Sequence, residues 1–438
     1  MAFADRFVLG ERVGIGATSE VFRAFDKERG VDVAIKRLHE HLVADPFSRD
    51  RFRCETALSA RIAGEHVVRC LEGGVDQDDR PYLVLEWLDG QDLATLMKSS
   101  RISTDDAIEI VRQAALGLQA VHDAGIVHRD VKPRNLFLTR AQPGKPFVVK
   151  LLDLGVAYDS CADHPEGMFN LGTPFYMSPE QAQARPSIGP ASDLFSLGTL
   201  FFELLTGRRP FAGPTTYGLL AKIALQMTPR LADAWPDAPA SLDAFMTRAL
   251  ARTSASRFLS ARDMADELGQ IGRMDSNETP AIDSNGPCSY SPNPDHLVAV
   301  VFGRLPLTTH VGRSRDLFRH IVDEFQGSAV SLLGRGVVGI FHGECADAVL
   351  RAADAALMLI EHISGARWSL ASGATLPLGV GLSESIIERG TRALERARTG
   401  ANESPIRIDD ETAGLLEEHY VIEGQPRQLS LRAVRGGR

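Results

Sequence analysis

Residues 126–138 place a dense set of charged and polar side chains between two apolar, strand-like ends. They read Ile-Val-His-Arg-Asp-Val-Lys-Pro-Arg-Asn-Leu-Phe-Leu and include Asp130, Lys132 and Asn135. A hydrophobic core disfavours this arrangement, because burying an unpaired charge is costly. The pattern therefore predicts that a carboxylate, an ammonium group and an amide are presented together for chemistry.

A glycine-rich segment near the start of the chain could approach phosphate groups. Residues 14–21 read Gly-Ile-Gly-Ala-Thr-Ser-Glu-Val between two strand-like runs, and glycines let the backbone come close to phosphate oxygens. Taken alone, the segment fits an ordinary hairpin better than a phosphate loop. The context favours a phosphate loop, because Val33-Ala34-Ile35-Lys36 follows and ends an apolar strand with an ammonium group that needs anionic partners.

Glu55 is the best-placed partner for Lys36. It lies in a helical pattern over residues 47–63, on the same inward face as Phe52 and Leu58. A glutamate exposed to solvent on the helix is the alternative. If Glu55 points inward, it supplies one carboxylate to the lysine, and phosphates supply the rest of the negative charge.

Residues 33–36 and 126–138 resemble the third-strand lysine motif and the catalytic loop of eukaryotic-type protein kinases. The bacterial serine/threonine branch is the nearest in pattern, and the resemblance extends over residues 5–268. It implies that Asp130 orients the substrate hydroxyl and accepts its proton, while Lys132 neutralises the moving phosphoryl group. Lys36 and Glu55 would complete the catalytic set.

The resemblance also implies metal-bound ATP. Asp153 follows an apolar strand and begins the sequence Asp-Leu-Gly. It would bind the magnesium that bridges the β- and γ-phosphates, while Asn135 would hold a second ion. Leu154 replaces the usual phenylalanine and changes a packing residue, not a ligand. The cofactors implied are ATP and Mg²⁺, with Mn²⁺ as the substitute metal.

The adenine pocket is implied at residues 82–90, which resemble the last strand of the small lobe and the hinge. Adenine would meet the Glu86 carbonyl and the Leu88 amide, with Leu85 as gatekeeper and Asp92 near the ribose. The remaining ATP-binding residues would be Val13, Gly14, Gly16, Val21, Ala34 and Lys36.

Residues 172–180 resemble the end of a kinase activation segment. Thr173 would mark serine/threonine specificity, Glu180 would pair with Arg257, and Asp193 would brace the catalytic loop from the helix below. These are structural and specificity roles.

The activation segment departs from the usual pattern of a segment controlled by phosphorylation. Arg129 precedes the catalytic aspartate, which in this family indicates a segment held by a phosphate. Few hydroxyls are available between residues 153 and 180. We therefore hypothesise that Asp163 or Glu166 partly replaces the phosphate.

The predicted fold class is α+β: a bilobal kinase fold followed by a smaller α/β domain. Strand-like runs give a mostly β lobe at residues 5–88, and helical periodicity gives a mostly α lobe at residues 89–268. Residues 269–295 are polar, interrupted by proline and glycine, and predict a linker. Residues 296–435 predict the α/β domain.

The C-terminal domain resembles a degenerate class III nucleotide cyclase homology domain. Such cyclases hold their metals with two aspartates, where this chain has Gly303-Arg304 and Gly334-Arg335. Cyclase chemistry is therefore not expected, and the domain is predicted to be regulatory, through a homodimer or a regulatory partner.

Three functional hypotheses follow. The first is an active serine/threonine kinase acting on protein substrates; the second is an ATP-binding pseudokinase scaffold; the third adds nucleotide chemistry in the C-terminal domain. Ser19 replaces the third glycine of the phosphate loop, which is expected to change ATP affinity more readily than to abolish activity. The metal and phosphoryl-transfer positions are filled, which favours the first.

Composition excludes several other classes of protein. The net charge of −9 gives no general attraction for nucleic acid. The longest apolar stretch, residues 194–205, is shorter than the ~20 residues of a membrane-spanning helix. The five cysteines are dispersed and form no Cys-x-x-Cys pair, which favours a cytoplasmic protein.

Overall fold

The computed structural model describes residues 3–140, 147–153, 174–274, 293–306, 311–344, 346–375, 381–396, 406–425 and 428–435. The described helices, in chain order, are α1 Phe3–Arg6, α2 Pro46–Ser59, α3 Leu93–Ser99, α4 Thr104–Asp123, α5 Pro179–Ala182, α6 Pro190–Thr206, α7 Thr216–Leu225, α8 Leu231–Ala234, α9 Ala240–Ala249, α10 Ala261–Met274, α11 Val311–Glu324, α12 Asp347–His362, α13 Glu384–Arg396 and α14 Asp410–Leu416.

The described strands follow the same order. They are β1 Phe7–Ile15, β2 Ser19–Asp26, β3 Val31–Leu38, β4 Cys70–Val75, β5 Pro81–Glu86, β6 Gly90–Asp92, β7 Leu136–Thr139, β8 Val148–Leu151, β9 Asn293–Arg304, β10 Ser328–Ser331, β11 Gly336–Glu344, β12 Arg367–Thr375, β13 Ile406–Ile408, β14 Tyr420–Glu423 and β15 Leu429–Val434.

The chain divides into two compact units that do not follow the chain order. The first comprises Met1–Asn170, Ile188–Pro210 and Arg230–Ile282. The second comprises Leu171–Ser187, Phe211–Pro229 and Asp283–Arg438. Helices α5 and α7 therefore group with the C-terminal region.

The first unit begins with a five-stranded antiparallel sheet of order β1-β2-β3-β5-β4. Alternate residues of β3 point to opposite faces. Val33 and Ile35 join one buried cluster with Phe7. Leu38, two residues beyond Lys36, packs with Phe52 of α2 in another cluster. This alternation directs Lys36 toward α2. The five-stranded sheet confirms the predicted mostly β lobe.

Helix α4 forms the centre of the helical part of the first unit. Ser103 caps its N-terminus by accepting a 3.1 Å hydrogen bond from the Asp106 amide, which satisfies one of the free N–H groups there. Its buried side chains pack against α6 and α10. Gly117 is required at the closest approach, because a Cβ there would lie 2.5 Å from the His66 carbonyl oxygen. The predicted mostly helical lobe is confirmed.

Helix α10 runs further than the sequence indicated. It continues to Met274 and so includes the first residues of the predicted linker 269–295. Leu268 and Ile271 are buried, and their spacing keeps the apolar face of the helix in the core despite the nearby glycines. Strand β9 begins at Asn293.

The second unit contains a seven-stranded sheet of order β10-β11-β9-β12-β13-β15-β14. Its neighbours are antiparallel except β12 and β13, which are parallel. Helices α11 and α12 cover one buried cluster, in which Phe318 stacks on Trp368 with ring centroids 5.9 Å apart. This region is the additional α/β element that the sequence predicted.

Within the second unit, the C-terminal residues make polar contacts with α5 and α7. Tyr217 donates its hydroxyl hydrogen to the Val337 carbonyl oxygen at 3.1 Å. The amide of Leu333 donates to the Ala182 carbonyl oxygen at 2.8 Å. The amide of Leu382 donates to the Leu225 carbonyl oxygen at 2.7 Å. These three hydrogen bonds hold α5 and α7 against the C-terminal residues of the same unit.

A buried lysine adds an ionic contact to the same surface. Lys222 of α7 is 4% exposed, and its Nζ lies 2.6 Å from Glu384 Oε1 and 2.7 Å from Glu388 Oε1. Both glutamates belong to α13. Burial opposes the charge of Lys222, but the two carboxylates outweigh burial and raise its pKa.

Among the described residues, no helix is both long enough and apolar enough to cross a lipid bilayer. Of the five cysteines, Cys54 and Cys70 lie in the described part of the chain, and neither forms a disulfide there.

The packing of Gly303 can be tested by one methyl group. A Cβ at this position would lie 2.1 Å from the Trp368 ring, and overpacking of this kind costs about 1–3 kcal/mol. We expect Gly303→Ala to lower the melting temperature. Gly414→Ala is the matched control, because a Cβ there meets nothing within 4 Å and alanine favours α14 by up to about 1 kcal/mol. Thermal unfolding of both variants checks this; an unchanged Gly303→Ala transition would contradict it.

Candidate active site

The glycine-rich loop connects β1 and β2, and the sheet register places the predicted pocket residues on one face. Gly14 lies opposite Val21, Val21 lies opposite Lys36, and Ala34 lies opposite Leu85. Directly opposed residues of antiparallel strands project to the same side, and residues 34 and 36 share a side by alternation. The sheet therefore brings these five residues together.

Ser19 fits the loop without strain. It is buried, and its carbonyl oxygen accepts a 2.7 Å hydrogen bond from the Gly16 amide, which closes the hairpin. Its φ angle is not positive, so the position does not need the conformational freedom of glycine. A serine therefore maintains the turn, and its expected effect on ATP affinity stays a prediction.

Lys36 joins three elements through one ammonium group. Its Nζ lies 2.5 Å from Glu55 Oε1 of α2 and 2.8 Å from Asp153 Oδ1, just beyond β8. Lys36 and Glu55 are 8% and 6% exposed, so the predicted inward orientation of Glu55 is what the structure has. The exposed-glutamate alternative is wrong.

The electrostatics of this trio show a site with excess negative charge. Burial opposes the charge of Lys36, but the carboxylates of Asp153 and Glu55 outweigh burial and raise its pKa. Burial raises the pKa of Glu55, with Asp153 adding to the shift and Lys36 opposing it. One ammonium group shared by two carboxylates leaves the trio suited to an additional cation.

The catalytic-loop candidates also meet. Lys132 Nζ donates to Asp130 Oδ2 at 2.6 Å. Asn135 Nδ2 donates to the same oxygen at 3.0 Å and to the Asp130 carbonyl oxygen at 2.8 Å. These bonds hold the Asp130 carboxylate in one orientation, and they leave its Oδ1 available.

Two backbone contacts connect this loop to the residue before Asp153. The Leu152 amide donates to the Asn135 carbonyl oxygen at 2.8 Å, and His128 Nε2 donates to the Leu152 carbonyl oxygen at 3.0 Å. His128 Nδ1 accepts from the Asp130 amide at 3.3 Å. A histidine that donates through one nitrogen and accepts through the other is the neutral tautomer.

Asp193 holds the loop from below. Its fully buried carboxylate accepts from the amides of His128 and Arg129 at 2.8 and 2.7 Å, and from His122 Nε2 at 2.8 Å. Arg129 has a φ of 63°, a left-handed conformation that costs about 1–3 kcal/mol in a non-glycine residue. The three hydrogen bonds offset that cost, which is the bracing role predicted for Asp193.

The donor set suits magnesium. Asn135 uses its amide nitrogen on Asp130, so its oxygen remains an acceptor, and the Asp153 carboxylate is 46% exposed. Magnesium prefers oxygen ligands and binds through one or two protein groups together with substrate phosphates. Asn135 and Asp153 therefore fit the metal that the sequence implied.

Comparison with known proteins identifies the family. The family model "Protein kinase domain" matches residues 7–267, more than half of the chain. This chain belongs to the protein kinase family.

Bacterial serine/threonine-protein kinases are among its curated relatives. The probable serine/threonine-protein kinase PknB of Corynebacterium glutamicum is 36% identical over 281 residues, which is 62% of this chain and 43% of that protein. Serine/threonine-protein kinase A of Synechocystis is 33% identical over 267 residues, 58% of this chain and 51% of that protein. The chain thus spans about half the length of these relatives, or less.

A solved structure is also similar. The kinase domain of Mycobacterium tuberculosis PknI, in a double mutant, is 25% identical and matches 61% of this chain and 95% of its own, with a TM-score of 0.48.

The hinge residues of the kinase fold have their own side-chain partners. Glu86 Oε1 accepts from Lys150 Nζ and from the Arg69 amide, each at 2.8 Å, and the contact of its backbone carbonyl with adenine stays a prediction. The Asp92 carboxylate caps α3 by accepting from the Thr95 amide at 2.9 Å. Its predicted contact with the ribose stays a prediction, as do those of Val13 and Leu88.

The activation segment lies mostly outside the described residues, which resume at Pro174. Leu154, Asp163, Glu166 and Thr173 belong to that part. Glu180 is buried in α5, which begins with a capping box formed by Ser178 and Gln181.

Arg257 is a buried residue of the first unit. Its guanidinium donates to the carbonyl oxygens of Ala251 and Ala191 at 2.7 and 2.9 Å, and lies over the Phe195 ring. Its pairing with Glu180 remains a prediction.

Sequence reasoning missed two supporting contacts of the kinase site. It did not predict the hydrogen bond between His122 and Asp193 or the one between Lys150 and Glu86. No spacing rule relates residues 71 or 64 positions apart, and both bonds depend on helix and strand packing. A histidine in the last turn of a helix was the only local signal for the first.

The bracing role of Asp193 gives a kinetic prediction. In Asp193→Asn, one side-chain atom that accepts hydrogen bonds becomes a donor facing other donors, so the catalytic loop should shift. We expect kcat to fall about 100-fold, the scale of a small misplacement of reacting groups, with little change in KM for ATP. Steady-state phosphorylation assays measure both constants.

Glu203→Gln is the matched control on the same helix, because Glu203 pairs with Arg209 near the far end of α6. It should leave kcat near the wild-type value. Equal kcat in Asp193→Asn and wild type would show that the loop does not need this brace.

Proposed function

We propose that this chain is an active serine/threonine protein kinase, which transfers the γ-phosphoryl group of ATP to serine or threonine hydroxyls of protein substrates. One observation supports it above the others: the lysine trio and the catalytic-loop trio are both assembled. A pseudokinase would be expected to have lost one of these groups, and each is present with its partners.

The proposed reaction is an in-line displacement. The substrate hydroxyl oxygen attacks the γ-phosphorus, the bond from that phosphorus to the β–γ bridging oxygen breaks, and ADP leaves with the bond electrons. The hydroxyl proton passes to the Asp130 carboxylate. Asp130 can act as acceptor because Lys132 and Asn135 already orient it, and Lys132 offsets the charge on the moving phosphoryl group.

Lys36 is proposed to position the nucleotide phosphates, with Glu55 fixing the lysine. Asn135 and Asp153 would hold magnesium, which when bound neutralises phosphate charge. Residues Gly14 and Gly16 would let the loop backbone approach the triphosphate, and the Glu86 carbonyl and Leu88 amide would bind adenine. Manganese could take the place of magnesium, because it accepts the same oxygen donors.

Two substitutions test the proposed chemistry. Asp130→Asn removes the proton acceptor, whose contribution is typically about 10²–10⁴-fold, and Lys36→Met removes the phosphate-positioning charge. We expect both to abolish transfer from labelled ATP to a generic protein substrate, while Asp130→Asn still binds ATP. Phosphate incorporation and nucleotide titration measure these effects.

Exposed residues of the same types provide controls. Lys27→Met and Asp123→Asn alter side chains on the surface of the same unit, and both variants should remain active. Transfer retained in both Asp130→Asn and Lys36→Met would refute the assignment. ATP binding without transfer in the wild-type chain would favour the pseudokinase.

We also propose that the C-terminal region regulates the kinase, and that it is a degenerate cyclase homology domain. Its contacts with α5 and α7 support regulation, because Ala182 lies two residues after Glu180 at the end of the activation segment. Gly303 supports loss of cyclase activity, since the Trp368 ring occupies the space of any larger side chain there. Homodimerisation through this region is the alternative, which light scattering would reveal as a doubled mass.

The ionic contact of Lys222 allows this regulation to be tested by charge reversal. Glu384→Lys with Glu388→Lys places positive charges against Lys222, and both glutamates are at least 41% exposed, so the α/β fold should tolerate them. We expect turnover to rise at least about threefold, because breaking a contact to a buried charge costs several kcal/mol. Phosphorylation assays on the full chain measure the rise.

The rescue variant makes the charge-reversal test specific. Adding Lys222→Glu to the reversed pair restores opposite charges and should return turnover to the wild-type rate. Glu361→Lys, an exposed change on α12, is the control and should have no effect. Unchanged or lower turnover in the reversed variant would contradict the proposal.

We place the protein in the cytoplasm. The dispersed cysteines support this location, because a secreted protein of this kind would be expected to use them in disulfides. The acidic net charge of −9 supports partners other than nucleic acid.

A further inference from the structure

The end of β3 lies beside the tip of the glycine-rich loop. In the sheet register, Ser19 at the start of β2 is directly opposite Leu38, the last residue of β3. The next residue, His39, donates its backbone amide to the Thr18 carbonyl oxygen at 2.9 Å. The chain that leaves β3 is therefore bonded to the loop that precedes β2.

The His39 side chain makes a second contact with the same loop. Its Nε2 lies 2.9 Å from the Gly16 carbonyl oxygen. A carbonyl oxygen can only accept a hydrogen bond, so the ring nitrogen is the donor. The ring of His41 stacks on the His39 ring with centroids 5.4 Å apart. This stacking favours one orientation of the imidazole, with Nε2 directed at the loop.

The backbone that carries this imidazole is held by an arginine. Arg80 Nη2 donates to the Leu38 carbonyl oxygen at 2.7 Å and to Glu20 Oε1 of β2 at 2.8 Å. The side chains of Arg80 and Glu20 are mostly buried, at 11% and 14% exposed. The carbonyl and the amide of the peptide between Leu38 and His39 are thus both hydrogen-bonded. His39 therefore presents its ring from a fixed point.

The contact with Gly16 also sets the direction of the next amide. The Gly16 carbonyl and the Ala17 amide belong to one planar trans peptide unit, in which the two groups point in opposite directions. The Gly16 amide is used by the Ser19 carbonyl oxygen. Within the part of the chain that the structure describes, the Ala17 amide has no acceptor. It is directed away from His39 and can donate to a ligand.

We propose that His39 is a positioning residue for ATP binding, whose imidazole holds the peptide between Gly16 and Ala17 so that the Ala17 amide can donate to a phosphate oxygen. Backbone N–H groups in turns are suitable donors for phosphate. Without the imidazole, the nucleotide itself would have to order this peptide, at a cost in affinity. The inference rests on the proposed binding of ATP beneath the glycine-rich loop.

Steady-state kinetics of the full chain test this role. His39→Ala removes the donor to Gly16. We expect the KM for ATP to rise about threefold to tenfold, which corresponds to the loss of one hydrogen bond. We expect kcat to stay within about twofold of wild type, because an interaction made equally in the ground state and the transition state affects KM alone. A fall in kcat with unchanged KM would overturn the proposal.

A conservative variant and a neighbouring control make the test specific. His39→Gln keeps an N–H donor at the end of the side chain, so its KM for ATP should return close to the wild-type value. Glu40→Ala changes the adjacent exposed residue and should leave both constants unchanged. The proposal is wrong if His39→Gln is as impaired as His39→Ala, or if Glu40→Ala raises KM equally.

Nucleotide titration shows whether the effect concerns the phosphates. The probes are ATP with magnesium, and adenosine, which has no phosphate. His39→Ala should weaken ATP binding by the same factor as the rise in KM and should leave adenosine binding unchanged. Equal weakening of both probes would show a general distortion of the β lobe, and would overturn the proposal.

The wild-type chain separates this inference from the proposed function. If wild type binds ATP but does not transfer phosphate, the kinase proposal fails, and the dissociation constant of ATP in His39→Ala still decides the role of His39. If wild type transfers phosphate and His39→Ala binds ATP with unchanged affinity, only the inference about His39 fails. A wild-type chain that does not bind ATP would overturn both.

Discussion

The buried ammonium group of Lys36 is the constraint on which the nucleotide-facing part of the kinase domain depends. Its position on β3 follows from strand parity, since Val33 and Ile35 must point into the opposite cluster. Once buried, the ammonium requires carboxylates, and Glu55 and Asp153 supply them from α2 and from the end of β8. Helix α2, the sheet and Asp153 are therefore held relative to one another by a single nitrogen, so a displacement of any one of them would leave a buried charge with one partner fewer.

The catalytic loop depends on a second buried charge with the opposite sign. Arg129 and Asp153 both have positive φ angles, of 63° and 55°, and such conformations persist only where the surroundings impose them. Asp193 imposes the first by accepting hydrogen bonds from the amides of His128 and Arg129 and from His122 Nε2. Its place in the first turn of α6 also suits a carboxylate, because the N-terminus of a helix carries partial positive charge. The strain at the site is thus offset by a residue that touches neither nucleotide nor substrate.

The sequence allowed the candidate catalytic and metal-binding residues to be singled out because each is a polar group next to an apolar run, where burial of a polar group is costly. Lys36, Asp130 and Asp153 are of this kind. It did not reveal His122 beside Asp193, since that contact arises from the packing of two helices. It also did not reveal that α7 groups with the C-terminal region: Tyr217 and Lys222 read as parts of an ordinary buried helix, and their partners lie 120 and more residues away.

The same physical rule explains two buried charges of the N-terminal sheet. A buried or crowded charge persists in a sequence when something offsets its cost, because most substitutions there would otherwise stabilise the protein. Asp26 follows the rule, with Arg6 and Arg29 holding the pKa of its carboxyl well below the usual range. Lys36 follows it with two carboxylates, so its ammonium group stays paired where it is buried.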